Sequence, residues 1–260
     1  MEAEGVQVRF AGLQALREVG LTLPRGELVG LIGPNGAGKT TLIDALTGFV
    51  PLSSGRVRLA GREVQRLGPD ARARLGLART FQSLQLFEDL TVEENLMVAA
   101  ERPGWWNLAA GLVVPRRGAE AHVGWALDLV GLTDIASRMP RELSHGERKL
   151  VAVARAVAAR PEVLLLDEPA AGLDTWESEL LGRRLRTLVE ELGVAILLVD
   201  HDMGLVLGVC DSVHVLDFGQ VIASGPPASV RQDPAVLAAY LGGASPPATP
   251  APVPTERGSL

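Results

Sequence analysis

Only one cysteine, Cys210, occurs in the 260 residues. No intrachain disulfide can form, which predicts a reducing compartment. Aromatic residues make up only 4% of the chain, so a core has to be built from Leu, Val, Ile and Ala. Basic residues are outnumbered, 25 Lys and Arg against 31 Asp and Glu, for a formal net charge of -6. A nucleic-acid binder that neutralises phosphates needs clustered basic side chains, and that class is set aside. No uninterrupted apolar run approaches the roughly 18 to 20 residues of a membrane-spanning helix. The opening stretch MEAEGVQVRF also lacks the basic segment and apolar run of a secretory signal. These absences predict a cytosolic soluble protein, neither secreted nor membrane-spanning. What remains, 47% hydrophobic and 22% charged residues, is an ordinary globular balance. The length suits one large domain, or a core with a smaller subdomain.

Three short apolar runs read as strands buried on both faces: Glu27 to Ile32, Val163 to Leu166, and Ala195 to Val199. Helical patterns lie between them, which predicts an α/β architecture with a largely parallel sheet. Hairpin-like alternation from Val6 to Leu23 and around Gly55 to Leu59 predicts a smaller antiparallel sheet. Between about Asp89 and Arg160 the texture turns helical. Thr91 and Glu94 fit a capping box, and Gly131 marks a helix end. The stretch Pro103 to Gly118, with tryptophans at 105 and 106, either packs on its own subdomain or docks on a membrane protein. From Gly242 onward Pro, Ala, Ser and Thr dominate, which predicts a disordered tail. The P-x-x-P match from Pro247 to Pro250 is close to chance in so proline-rich a segment.

Gly33 to Thr41, GPNGAGKTT, satisfies G-x-x-x-x-G-K-[ST] between a predicted strand and a predicted helix, Thr41 to Phe49. Such a loop curls its N–H groups around phosphate oxygens, and the helix N-terminus adds a positive field. Lys39 then reaches the β- and γ-phosphates, and the Thr40 hydroxyl ligates Mg2+. The strand LLLDE ends in Asp167, positioned to hold Mg2+, and Glu168, positioned to orient or deprotonate an attacking water. His201 follows a third strand, at the edge where open α/β sheets bind ligands. Ser144 and Glu147 form an S-x-x-E capping box at the start of a helix running to about Ala159.

GPNGAGKTT, Gln82 in RTFQ, the LSHGE stretch, LLLDEP, the AGLD ending at Asp174 and His201 in VDHD resemble, in order, the motifs of ABC-type ATPases. These are the phosphate-binding loop, Q-loop, signature, magnesium strand, D-loop and switch histidine. The resemblance covers about residues 5 to 243. It implies a RecA-like P-loop core at about 1–88 and 161–243, with a small antiparallel β subdomain, and a helical signature subdomain at about 89–160. A Pro-rich tail, 244–260, follows. It also implies that ATP and Mg2+ are bound. Gly33, Pro34, Asn35, Gly36, Ala37, Gly38, Lys39, Thr40 and Thr41 would cradle the phosphates. Asp167, Thr40 and Gln82 would serve the metal, and Glu168, His201 and Lys39 would serve catalysis. Phe10 lies where the family stacks an aromatic on adenine; the alternative is a buried strand residue. Ser144, Gly146 and Asp174 would meet the nucleotide held by a second ATPase subunit, a copy or a paralogue, paired head to tail.

RTFQ, LFEDLTVEENLMVA, DEPAAGLD, HDMGLVLGVCD and DPAVLAAYLG look like the ATPases of branched-chain amino-acid importers. That resemblance implies transmembrane permease partners, indirectly a solute-binding protein, and a place on the inner face of the membrane. Urea, amide and lipopolysaccharide-export ATPases share several of these strings, and a non-transport ABC ATPase or a binding-only subunit is the further alternative. Two positions depart from the family: His145 replaces the usual signature glycine, and Glu147 the usual glutamine. A carboxylate beside a triphosphate is unfavourable unless it is turned into the helix cap.

Overall fold

A computed structural model describes residues 1–80, 86–100 and 119–241. Gln82, the tryptophan pair at 105 and 106 and the tail 244–260 lie outside the described residues. The chain opens on an antiparallel hairpin, β1 (Glu2–Phe10) and β2 (Leu13–Thr22), and continues into β3 (Leu28–Ile32). Helix α1 (Lys39–Thr47) follows, then β4 (Ser54–Leu59), β5 (Arg62–Glu63), α2 (Pro69–Arg74) and β6 (Leu77–Arg79). Helices α3 (Val92–Ala100), α4 (Ala119–Val130) and α5 (His145–Ala158) come next, with 3-10 turns at Thr133–Ile135 and Pro140–Glu142. The last third alternates as β7 (Val163–Asp167), α6 (Thr175–Leu192), β8 (Ala195–Val199), α7 (Met203–Val209), β9 (Ser212–Asp217) and β10 (Gln220–Gly225). It closes on α8 (Pro227–Gln232) and α9 (Pro234–Leu241).

Two sheets result. The small one has the order β2-β1-β4-β5 and is antiparallel; the large one has the order β10-β9-β3-β8-β7-β6. In the large sheet only β10 runs antiparallel, against β9, and the other neighbours are parallel. Both sheets agree with the expected architecture.

Every residue of β3, β7 and β8 is buried, because each strand divides its side chains between two cores by alternation. Leu28, Ile32, Leu164, Leu166, Ile196 and Leu198 face one core, which they share with the helices. Val29, Leu31, Val163, Leu165, Ala195, Leu197 and Val199 face the other, which they share with the small sheet and α1. Helix α1 touches β1 and β2 on one side and β7 on the other. In α6 the residues Leu181, Leu185, Leu188 and Val189 recur at helical spacing and are buried in the first core. Asp174 caps that helix by accepting from the Glu177 N–H at 2.8 Å. Gly193 ends it at φ 60.

The end of α1 is held by a charge. Arg72 of α2, only 2% exposed, donates to the carbonyls of Ala45 at 2.7 Å, Leu46 at 2.6 Å and Leu67 at 2.9 Å. The last carbonyls of a helix have no partner within it, and a cation there also meets the negative end of its dipole. Burial lowers the Arg72 pKa, but a guanidinium stays protonated.

Candidate active site

Strand register brings the motif residues to one edge. Leu31 of β3 and Asp167 of β7 both pair with Val199 of β8. The chain therefore leaves all three strands at neighbouring points, into the Gly33 loop, Glu168 and Asp200–His201. This is the carboxyl edge, where open α/β sheets receive ligands.

The loop after β3 is wound tightly. Gly33 has φ 152, and a Cβ there would lie 2.0 Å from the Leu216 carbonyl oxygen, so no larger residue fits. Pro34, Asn35, Gly36, Ala37 and Gly38 carry the chain to α1, whose N-cap, Gly38, is left-handed at φ 105. Lys39 is buried and folds back over the loop, donating from Nζ to Gly33 O at 2.6 Å and Pro34 O at 3.0 Å. Its pKa is lowered by burial, against the pull of Glu168, then Asp167 and Asp200. The same three carboxylates thus share the field of one ammonium. Thr40 is exposed and Thr41 half-buried at the first turn of α1.

Asp167 ends β7 with a side chain only 4% exposed, 2.9 Å from the Arg79 guanidinium. Burial raises its pKa, while the bond and charge of Arg79 act in the opposite sense. Mg2+ takes one or two protein oxygens and completes its shell with water and phosphate. A carboxylate at Asp167 and a hydroxyl at Thr40 are hard oxygens of that kind.

Glu168 is half-buried at φ 49, a left-handed conformation uncommon for a residue with a Cβ. Both sides of the residue are pinned. Its N–H donates to Val199 O at 2.7 Å, and its carbonyl accepts from Ala171 N–H at 3.2 Å and from Lys149 Nζ at 2.9 Å. Backbone strain of this sort clusters at functional positions.

His201 is 61% exposed, with Nδ1 3.5 Å from an Asp200 carboxylate that is fully buried. Asp200 accepts three backbone N–H groups, from Ala170 at 2.9 Å, His201 at 2.8 Å and Asp202 at 3.0 Å. It therefore ties the segment after β7 to the segment after β8. Asp200, Arg79 and Lys149 were not singled out by sequence. Each has a partner far along the chain, Ala170 for Asp200, Asp167 for Arg79 and Glu168 for Lys149, and no local pattern announces those contacts.

Ser144 caps α5 by accepting from Glu147 N–H at 3.1 Å, while Glu147 accepts from Ser144 N–H at 2.7 Å. The Glu147 carboxylate is thus turned into the cap. His145 is exposed, with Nε2 3.4 Å from Ala171 O. Gly146 is buried under α6: a Cβ there would lie 2.4 Å from Glu177 Oε1. The first turn of α5 and the segment 171–177 of the same chain therefore lie together. Asp174 is exposed at the head of α6. Phe10 is 46% exposed at the end of β1, so of its two readings the buried strand residue is the one corrected. The expected helix Thr41 to Phe49 runs instead from Lys39 to Thr47, because Gly48 turns left-handed.

The family model described as ABC transporter matches residues 16–171, and a model described as branched-chain amino acid ATP-binding cassette transporter matches residues 220–245. The high-affinity branched-chain amino acid transport ATP-binding protein BraF of Pseudomonas aeruginosa is 40% identical over 249 residues, covering 93% of this chain and 97% of that one. LivG of Escherichia coli, of the same description, is 39% identical over 248 residues, with 93% and 97% covered. Among solved structures, the ADP conformation of an ATP-binding cassette of an ABC transporter superposes with a TM-score of 0.82 at 29% identity. That match covers 93% of this chain and 98% of the other.

Proposed function

The chain belongs to the ABC transporter family of ATP-binding subunits, and from that premise we propose that it hydrolyses ATP to drive branched-chain amino-acid import through a membrane permease. One observation carries the chemistry: the Gly33 loop that leads to Lys39, the Asp167–Glu168 pair and His201 lie at the ends of neighbouring parallel strands at one edge of the sheet. The solute class is supported by the match at residues 220–245 and by the names of BraF and LivG.

Lys39 exchanges its two carbonyl partners for β- and γ-phosphate oxygens, aided by the N-terminus of α1. Phe10 stacks on adenine from its exposed position. Asp167 and Thr40, joined by Gln82, hold Mg2+, which when bound neutralises phosphate charge. Glu168 accepts the proton of the attacking water, and His201 donates to the γ-phosphate. Ser144, Gly146 and Asp174 contact the nucleotide of a second ATPase subunit. The division into a core at about 1–88 and 161–243 and a helical subdomain at about 89–160 lets closure be relayed to the permease. No helix among the described residues is long and apolar enough to cross a membrane. The chain works at the cytoplasmic face, held there by permease subunits that a solute-binding protein supplies.

The test has two parts. Glu168→Gln retains ATP binding while hydrolysis falls by roughly two orders of magnitude or more; near-normal turnover would remove Glu168 from its role. In vesicles reconstituted with its permease, the wild-type chain supports ATP-dependent leucine uptake. Uptake of urea or an amide instead, with none of leucine, would overturn the solute assignment.

A further inference from the structure

The chain holds only two lysines, Lys39 and Lys149, and both are buried. Lys39 belongs to the phosphate loop. Lys149 lies one turn into α5, and its ammonium donates to the main-chain carbonyl of Glu168 at 2.9 Å. A buried ammonium is costly unless it is hydrogen-bonded, and this one donates to a neutral carbonyl. Burial lowers the Lys149 pKa, and the charges of Asp200 and Glu168 oppose that shift. The carbonyl it holds belongs to Glu168, the one described site residue other than glycine with left-handed backbone, at φ 49. Rotation of that peptide would re-aim the Glu168 side chain. Two contacts run beside the lysine: His145 Nε2 is 3.4 Å from Ala171 O, and Gly146 lies close beneath Glu177. Helix α5 is therefore laid along the segment from 168 to 177, with Lys149 its innermost hold and Ser144 its outer end.

We propose that Lys149 is a positioning residue that ties the Glu168 peptide to the helix beginning at Ser144. Through it, contact of Ser144 with the nucleotide on a second subunit sets the carboxylate that the same chain uses on its own nucleotide. The proposal rests on the reading of Glu168 as the base. Lysine suits the task because its stem crosses between two elements and its charge fixes a carbonyl that already serves the Ala171 N–H.

The purified full chain tests this with Lys149→Met, which keeps length and apolar volume but removes the donor, and with Lys149→Arg, which keeps a charged donor. For Lys149→Met the expected loss is about tenfold or more in kcat, with KM for ATP and nucleotide affinity within about twofold of wild type. Lys149→Arg recovers a substantial part of the loss. Unchanged kcat in folded Lys149→Met, or parallel losses of kcat and affinity, overturns the proposal. A structural readout stands beside these. Protein labelled with 13C at lysine Cε gives two side-chain signals, which a single variant assigns. In Glu168→Gln, ATP is expected to shift the Lys149 signal as well as that of Lys39, and a Lys149 signal that stays put overturns the coupling even if Lys149→Met does not fold. Glu168→Gln inactive beside a normal Lys149→Met sinks only the lysine's role. Normal turnover in Glu168→Gln sinks the base and this inference together.

Discussion

Arg79 lies 2.9 Å from Asp167, with side chains only 9% and 4% exposed, and it reaches Asp44 of α1 at 2.5 Å as well. One guanidinium thus binds the helix that follows the phosphate loop to the strand that ends in the acidic pair. Arg79 also directly precedes Thr80, whose N–H donates to Leu165 O at 2.9 Å.

Removing one member of a buried pair strands the other charge, typically at about 3 to 5 kcal/mol. Arg79→Met is therefore expected to destabilise the nucleotide-free chain by about 3 kcal/mol. Adding Asp167→Asn to it should relieve a large part of that loss. Urea unfolding of the two single variants and the double variant measures the coupling. Additive effects would show that the pair contributes nothing of its own.

The sequence made some of these features legible and hid others, and distance along the chain decides which. Capping is a contact over three residues, so Thr91 with Glu94 and Ser144 with Glu147 could be read directly, and both boxes form. The fully buried strands were legible because an unbroken apolar run has few other destinations. Arg79 with Asp167, Arg72 with Ala45 and Lys149 with Glu168 join residues 88, 27 and 19 positions apart. Nothing periodic marks such pairs. Phe10 stayed open because β1 pairs with β2 through register shifts near Val6 and Val8. Each shift breaks the alternation by which a strand residue is placed inside or outside.

Arg72 should prove a stability residue although it touches no ligand group. Replacing it with Met leaves the α1 carbonyls of Ala45 and Leu46 buried without their donor, and about 2 to 4 kcal/mol is the expected loss. Arg72→Lys should recover only part, since one ammonium cannot reproduce a planar fork of donors. Denaturant midpoints of the three proteins decide it. Equal midpoints for wild type and Arg72→Met would show that the helix end needs no cation.

Cys210 should be inert in the folded chain. Burial, reinforced by Asp211, pushes its thiol up to about 12, and the sulfur lies against β3, where a Cβ on Gly30 would come within 3.1 Å of it. The thiolate is the reactive form, so a thiol reagent at pH 8 should find almost none. Labelling should appear along the urea transition, in step with unfolding. Immediate stoichiometric labelling of native protein would contradict the burial.

The shared site between two subunits is the expectation with the sharpest genetic test. If ATP lies between the P-loop of one chain and Ser144 of another, Lys39→Ala and Ser144→Ala chains should each be nearly inactive alone. In a mixed dimer the Ser144→Ala chain supplies an intact P-loop, and the Lys39→Ala chain supplies an intact Ser144. One composite site is then whole and the other carries both lesions. Mixing should recover part of the wild-type rate if one site turns over without the other. A site contained in one chain gives no recovery at any ratio. Where the natural partner is a paralogous ATPase, the two changes are divided between the two proteins and compared with both placed on one site. The Lys149 tether adds a condition: the chain with the intact P-loop lacks Ser144, so its Glu168 is not set by the partner's nucleotide, and the rescued rate should stay well below one site's share of the wild-type rate. Recovery of that full share would separate the shared site from the tether.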